Sequence, residues 1–383
     1  MRPTTSGTGP LDCGGTFIAA QHRRIRALAS QLGVDLMRTR LESAPVRWRM
    51  QHLDRHGRIP PGLRTLVRVS WRLSRTARSV PGVRPWEAPL ATELDASSVA
   101  SFLDDNGVVE GSDAVWIRGQ LEALAAVPLV RLSMLQLAWW LSRPGGLVRA
   151  LRDTRAYIVS EGSYRLAERL HQELGGAVRR GCPVSAVAAY GKTEPVVVTS
   201  GGEQVEAVAA VVAVPLPAIG HIRFEAPLRP EHQRAVEQLR FGGAAKIVAR
   251  ALARPARWRT VFGGRHLKTA WRIGPMLAGE APDLGDGVPS DGELSEELAS
   301  AFELAPTQLG DLEVVNWTMQ PHVRGTYIAY APGQLTELGP ALDHGQGPVW
   351  FAASERSSWP DSMEGAVESG EHVAQLVLDH LDH

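Results

Sequence analysis

The last stretch of the chain, residues 325–383, constrains its fold most. It opens with a short β run, 326–330, broken by Pro332-Gly333. A second apolar run, 348–353, ends at Ser354-Glu355. After a polar loop, a helix is predicted from about Met363, with Ala366, Val367, Gly370, Val373, Ala374, Val377 and Leu381 at helical spacing. Strand, turn, polar loop and a small-residue helix start is how α/β folds bring a helix N-terminus to a ligand.

The rest of the chain is long enough to complete such a fold. Its 383 residues suffice for two interleaved domains. With 41 basic and 41 acidic side chains the formal charge is zero, which favours neither nucleic acid nor an acidic partner. Cys13 and Cys182 form no C-x-x-C or His/Cys cluster, so neither a disulfide framework nor a zinc site is indicated and no metal is expected. A reducing, cytoplasmic location is expected. The N-terminus lacks the apolar core of a signal peptide, and no run approaches the ~20 apolar residues of a membrane span.

Residues 1–10 are expected to be loose. The next block, Leu11-Asp12-Cys13-Gly14-Gly15-Thr16-Phe17-Ile18, has adjacent glycines that let backbone lie against a flat ligand. A helix is predicted over 21–33, with Gly33 as its stop. Residues 35–80 carry eleven arginines. There a helix is predicted with Leu63, Leu66, Val67 and Trp71 on one face and Arg64, Arg68, Arg72 and Arg75 on another. The arginines are an anion-binding surface or a solvated face, and a charge run alone specifies no partner. Apolar helices fill 114–141, with Trp139-Trp140 as core.

From Ile158 the patterning changes. A helix is predicted over 164–174, then strands over 182–190, 195–199 and 205–214, the last apolar enough to be buried on both faces. A short helix with proline in its first turn follows at 230–239. Lys246 sits in an apolar strand, beside Ala245, Ile247, Val248 and Ala249, and is costly to bury without a role. From the residues alone it is either a snorkelling surface lysine or a functional one. Residues 275–292 read as a surface loop, followed by a helix capped at Ser290 or Asp291 and a last strand at 314–317.

These pieces together resemble the flavin-containing amine oxidases, the monoamine and polyamine oxidase group. That family ends in a Tyr-bearing strand, a "YFAGTE" strand end and "W-x-G-Y-M-E-G-A-V-E-A-G". The matching positions here are Tyr327, Phe351 to Glu355, Trp359 and Met363 to Gly370. Residues 11–33 resemble its "D-x-G-G" block and following helix. The resemblance implies a two-domain α/β fold with a discontinuous FAD-binding domain (1–36, 156–215 and 323–383) and a substrate domain of mixed sheet and helices (37–155 and 216–322). It implies FAD-dependent oxidation of a C–N bond in an amine, polyamine or amino acid by hydride transfer, with O2 as oxidant and H2O2 as product. No nucleic acid takes part, and a homodimer is possible.

The resemblance also implies site residues. Lys246 would hold a water at flavin N5, with Trp317 beside it. Tyr327 would be one half of an aromatic cage for the amine. Ser362 stands where the second tyrosine is expected, and neighbouring Asp361 could attract a basic group. Gly14 and Gly15 would lie along the flavin, Val184 would meet the adenine, and Ser354, Glu355 and Met363 would serve the ribityl, phosphate and ring edges. Thr326 replaces the cysteine of the covalently linked members, so FAD should be non-covalent.

Two departures matter. Ala353 and Arg356 replace small residues of the pattern. The family's strand, G-x-G-x-x-G turn and helix, which hold the pyrophosphate, have no counterpart in these 383 residues. This unit is therefore expected upstream in frame or on another chain, and the 383 residues alone are expected to bind FAD weakly or not at all and to be prone to aggregate. A truncated, non-catalytic relative acting as a binding protein is the alternative.

Overall fold

The computed structural model describes residues 11, 13–41, 44–50, 53–189, 195–226, 228–342, 344–345 and 347–382. The looseness expected of 1–10, the Asp12 position and the Tyr190 strand end lie outside these residues.

The largest element is a seven-stranded sheet. Its order is Leu309–Asn316, Gly243–Ala251, Met276–Asp283, Thr269–Ile273, Thr260–Phe262, Val46–Met50 and Leu53–Gly57. All neighbours are antiparallel except Thr260–Phe262 against Val46–Met50. Alternation of side chains gives the sheet two different faces. Ala245, Ile247, Ala249, Leu277 and Ala281 pack against Leu294, Leu298 and Phe302, contributed by and just after the helix Asp291–Ala301. Each of these large side chains is fully buried, which stabilises by roughly 1.5–3 kcal/mol apiece. Ser290 and Glu293 form a reciprocal capping box that starts this helix. The opposite face carries Val248, Trp271 and Ala278, which pack against Leu11, Cys13 and Phe17. Lys246 is on this face too.

Two expectations about this region are corrected. Residues 276–283 are a central strand, not a surface loop. The misleading Gly279 sits against Leu267, where a Cβ would come within 2.9 Å of that side chain. The strand pair 46–57 extends the sheet within a stretch read only as arginine-rich.

A helical layer covers residues 63–153. In the helix Leu63–Arg78 the buried face is Val69, Ser70, Leu73 and Ala77. Of the apolar face Leu63, Leu66, Val67 and Trp71, only Leu66 packs against the core, and the other three are exposed. The buried set continues at i, i+4 and i+8 and meets the largely buried helix Met134–Ser142, whereas on the 63/67/71 side the Trp71 ring carries the Arg75 guanidinium, 5.8 Å from its centroid. Arg64, Arg68, Arg72 and Arg75 are exposed, as a solvated face would be.

Smaller sheets complete the molecule. Val184–Ala188, Val196–Ser200, Glu203–Ala207 and Arg223–Phe224 form a four-stranded sheet. Ala210–Val212 pairs in parallel with Val349–Phe351. The apolar run 205–214 is thus two short strands, and it is not buried on both faces: Val205, Val208 and Val211 are exposed, no described element covering them.

The C-terminal helix Met363–Leu381 is tied to the helix Arg23–Gln31 by one carboxylate. Glu364 is buried, and it accepts the backbone N–H groups of Arg23 (3.0 Å), Arg24 (3.1 Å) and Ile25 (3.0 Å). Those are first-turn donors that a helix leaves unsatisfied, and a negative charge there is further favoured by the helix dipole. Gly365 is required by close approach, since a Cβ would lie 2.1 Å from the Trp359 carbonyl oxygen. Just before Arg23, His22 accepts the Ala19 N–H at 3.2 Å through Nδ1, and its ring meets Trp359 edge-on at 4.8 Å.

Both sides of this junction can be tested. Glu364→Ala strands three backbone donors and is expected to lower unfolding free energy by about 3–5 kcal/mol. Urea denaturation measures it, and a loss below about 1 kcal/mol would contradict the capping role. Burial pushes the His22 imidazole down from its ordinary 6.5 to about 4. The folded state therefore resists protonation, so His22 costs no stability above pH 6.5 and progressively lowers it as pH falls toward 4. By pH 5 the loss is roughly 2 kcal/mol. It appears as the difference between wild type and His22→Asn in denaturation at pH 7 and pH 5; identical pH dependence in both proteins would refute it.

Candidate active site

The site is built where the sheet meets the segment 13–16. Lys246 is 4% exposed. Its Nζ donates to the Gly14 carbonyl at 2.6 Å and to Thr16 Oγ1. Its ammonium lies over the Trp271 ring, 5.4 Å from the centroid. Trp317, which follows the edge strand Leu309–Asn316, donates its Nε1–H to the Cys13 carbonyl at 2.8 Å. The lysine and the tryptophan thus hold consecutive carbonyls of the same backbone turn. Gly15 faces open space on its Cβ side, so a flat ligand can lie against the turn.

Tyr327 is brought to this region by its backbone. The Gly242 N–H donates to the Tyr327 carbonyl at 2.7 Å, and Thr326 donates its N–H and Oγ1–H to the Gly242 carbonyl at 2.8 and 2.9 Å. Ile328–Ala329 then pairs with Arg240–Phe241. Gly242 has no room for a side chain: a Cβ would be 2.4 Å from the Ala125 carbonyl oxygen. Gln136 secures the other end, donating to the Ile328 carbonyl at 2.6 Å and accepting from the Tyr330 N–H at 2.7 Å. Burial, then the negative charges of Glu280 and Asp361, push the Tyr327 phenol up, so it stays protonated at neutral pH.

Ser362 is the N-cap of the C-terminal helix. Its Oγ accepts the Gly365 N–H at 3.1 Å and donates to the Trp359 carbonyl at 2.7 Å. Its hydroxyl cannot offer an aromatic face. Asp361, at the family's glycine position, adopts the left-handed region with φ 59°. Its Oδ1 accepts the Ile328 N–H at 2.8 Å, and burial raises its pKa well above the usual carboxylate range.

The remaining expected residues lie around this centre or away from it. Glu355 is buried, accepts the Leu216 N–H at 3.0 Å, and is pushed up chiefly by burial. It anchors a loop to the segment just after the strand Ala210–Val212. The Ser354 carbonyl accepts the Ser357 hydroxyl at 2.7 Å. Met363 packs in the cluster containing Ile18 and Ile25, next to the 13–16 segment. Val184 is apart: it is 39% exposed at the start of its strand, and its pairing partner is Ser200.

Several groups at the centre carried no sequence signal. Glu280 is directly opposite Lys246 across the ladder, and Thr269 directly opposite Glu280, so the three share one sheet face. Arg155 precedes the strand Tyr157–Val159, and Trp271 is fully buried in the sheet. Only register and long-range packing place them here.

The 13–16 turn, the buried ammonium and the open face of Gly15 fit the ring end of a flavin. No residue among the 383 supplies a G-x-G-x-x-G turn, so pyrophosphate contacts are assigned to none of them.

Comparison with known proteins agrees. Residues 4–275 and 290–378 match the family described as flavin containing amine oxidoreductase. The putative flavin-containing monoamine oxidase AofH of Mycobacterium tuberculosis is 28% identical, covering 96% of this chain and 86% of that protein. Human flavin-containing amine oxidase B is 26% identical, covering 96% and 76%. Cyclohexylamine oxidase from Brevibacterium oxydans superposes with a TM-score of 0.86 at 22% identity, covering 97% and 88%. A putrescine oxidase variant superposes with 0.85 at 18% identity, covering 96% and 88%. The chain belongs to the flavin-containing amine oxidoreductases, enzymes that use non-covalent FAD in most members to oxidise amines with O2.

Proposed function

We propose that Lys246, Trp317 and Tyr327 form the catalytic centre of this FAD-dependent amine oxidase. The observation that carries this is the buried Lys246 ammonium bound to the Gly14 carbonyl beside an open backbone face. A desolvated ammonium with fixed acceptors is a costly feature that a purely structural strand position does not need. The bound flavin supplies hydride acceptance and returns the electrons to O2. The net change is RCH2NH2 + O2 + H2O → RCHO + NH3 + H2O2.

The protein's own groups arrange that exchange. Lys246 would hold a water at the ring and donate toward the reacting atoms. Trp317 fixes the Cys13-Gly14 turn, against which the ring would lie. Tyr327, kept protonated, offers its π-face to the amine nitrogen. With Ser362 in place of a second aromatic, orientation on that side falls to the neighbouring carboxylates. Gly14, Gly15 and Met363 would line the ring, Ser354 and Glu355 would serve the ribityl side, and Val184 would serve the adenine.

The domain division is part of the proposal: 1–36, 156–215 and 323–383 for the flavin, 37–155 and 216–322 for the substrate. The Glu364 junction and the parallel pair of strands support the first grouping. A reducing, cytoplasmic setting is supported by two free cysteines, one buried and one exposed. A non-catalytic relative is not favoured, since the lysine site is intact.

Lys246→Met keeps the stem and removes the charge. Peroxide production from an amine panel is expected to fall about 100-fold, with melting temperature little changed. Unaltered turnover would remove Lys246 from the catalytic centre.

A further inference from the structure

Arg155 is the unexplained group beside this centre. Its guanidinium is set among three rings, with Cζ 5.5 Å from the Phe17 centroid, 5.6 Å from Phe262 and 5.8 Å from Trp271. Trp271 is the ring that also carries the Lys246 ammonium, so Arg155 borders the catalytic centre. Among the described residues its five N–H donors have no hydrogen-bonded acceptor and no ion-pair partner within 4 Å. Only its backbone carbonyl is engaged, by the Thr39 hydroxyl. The carboxylate it senses is Glu280, at this centre, with the Tyr327 phenol also near. Burial pushes its pKa down, the opposite of what a built-in ion pair would do.

A planar cation stacked by aromatic rings is held in place with its edge donors unspent. Elsewhere in this molecule arginines meet carboxylates directly, as Arg47 meets Asp54 at 2.6 Å and Arg250 meets Asp311 at 3.0 Å. Leaving Arg155 without such a partner, in a half-buried position, is costly unless a ligand completes it. Glu280 lies on the same sheet face as Lys246, directly across the ladder.

We propose that Arg155 determines specificity by pairing with a carboxylate on the substrate, while Glu280 faces the substrate's nitrogen; the substrate is an amine that also carries a carboxylate. This rests on the amine-oxidising function proposed above and adds the acidic group. A fork of guanidinium donors matches a carboxylate in two parallel hydrogen bonds, which an amine without a carboxylate cannot use. The opposed charges of Arg155 and Glu280 give the cleft a direction, so a zwitterion enters in one orientation only.

The test compares pentylamine with 5-aminopentanoate on the flavin-loaded protein, and adds calorimetric binding of pentanoate, which has no nitrogen to oxidise. Wild type is expected to prefer the carboxylated amine in kcat/KM. In Arg155→Met the ratio between the two amines is expected to fall about 100-fold, through KM. Pentanoate binding is expected in wild type, absent in Arg155→Met, and retained or tightened in Glu280→Gln, which removes a competing negative charge. Circular dichroism establishes that each variant is folded, and should Arg155→Met be unfolded, Arg155→Lys and Glu280→Gln carry the comparison. Equal kcat/KM for both amines in wild type, or no pentanoate binding, would overturn the proposal. If no amine is oxidised but pentanoate binds in an Arg155-dependent way, the anion site stands and the proposed oxidase centre falls.

Discussion

The structure depends on one buried interaction, the Lys246 ammonium against the Gly14 carbonyl and the Thr16 hydroxyl. It joins residues 230 or more positions apart in the chain, the N-terminal turn and a central strand of the largest sheet. A lysine 4% exposed needs its hydrogen bonds, because an unpaired ammonium in that position would deprotonate or draw in water. The bond therefore fixes two things at once. It sets the 13–16 turn at a defined height over the sheet, and it brings a buried lysine to the open side of Gly15. Trp317 repeats the attachment one residue earlier, at Cys13.

The C-terminal motif plays a matching part from the other side. In Met363-Glu364-Gly365 each residue has a separate physical role. Met363 packs beside Ile18 and Ile25, Glu364 satisfies the first-turn donors of the helix Arg23–Gln31, and Gly365 permits the close passage of the Trp359 carbonyl. Four residues on, Ser369 Oγ accepts the Ala353 N–H at 3.1 Å. The motif is thus a set of joints between the helix 23–31, the loop 353–362 and the terminal helix. That explains why so much of it was legible without a structure, since each role tolerates few residue types.

Legibility elsewhere followed the same rule. The helix at Tyr164–Leu174 and the one expected to be capped at Ser290 or Asp291, with Ser290 as the observed cap, are in place, because capping residues and helical periodicity are local signals. Lys246, Trp317 and Tyr327 were found as motif positions, and the fold brings them to connected backbone. The central strand 276–283 was misread because Gly279 and Pro282 mark loops in a local reading, while in the fold the glycine lies against Leu267 within the sheet. In the helix 63–78 two apolar stripes compete, and only the neighbouring helix 134–142 decides which is buried. Arg155 and Glu280 were invisible, since nothing near either in sequence distinguishes it from a surface charge.

The central claim is that the 13–16 turn and Lys246 face a reversibly bound flavin. Titrating the protein with FAD, followed by flavin fluorescence and then by acid precipitation, tests it most directly. Saturable binding of one flavin per chain, recovered whole in the acid supernatant, is the predicted result, whatever its affinity. No saturable binding at any FAD concentration, or flavin that stays with the precipitate, would contradict it.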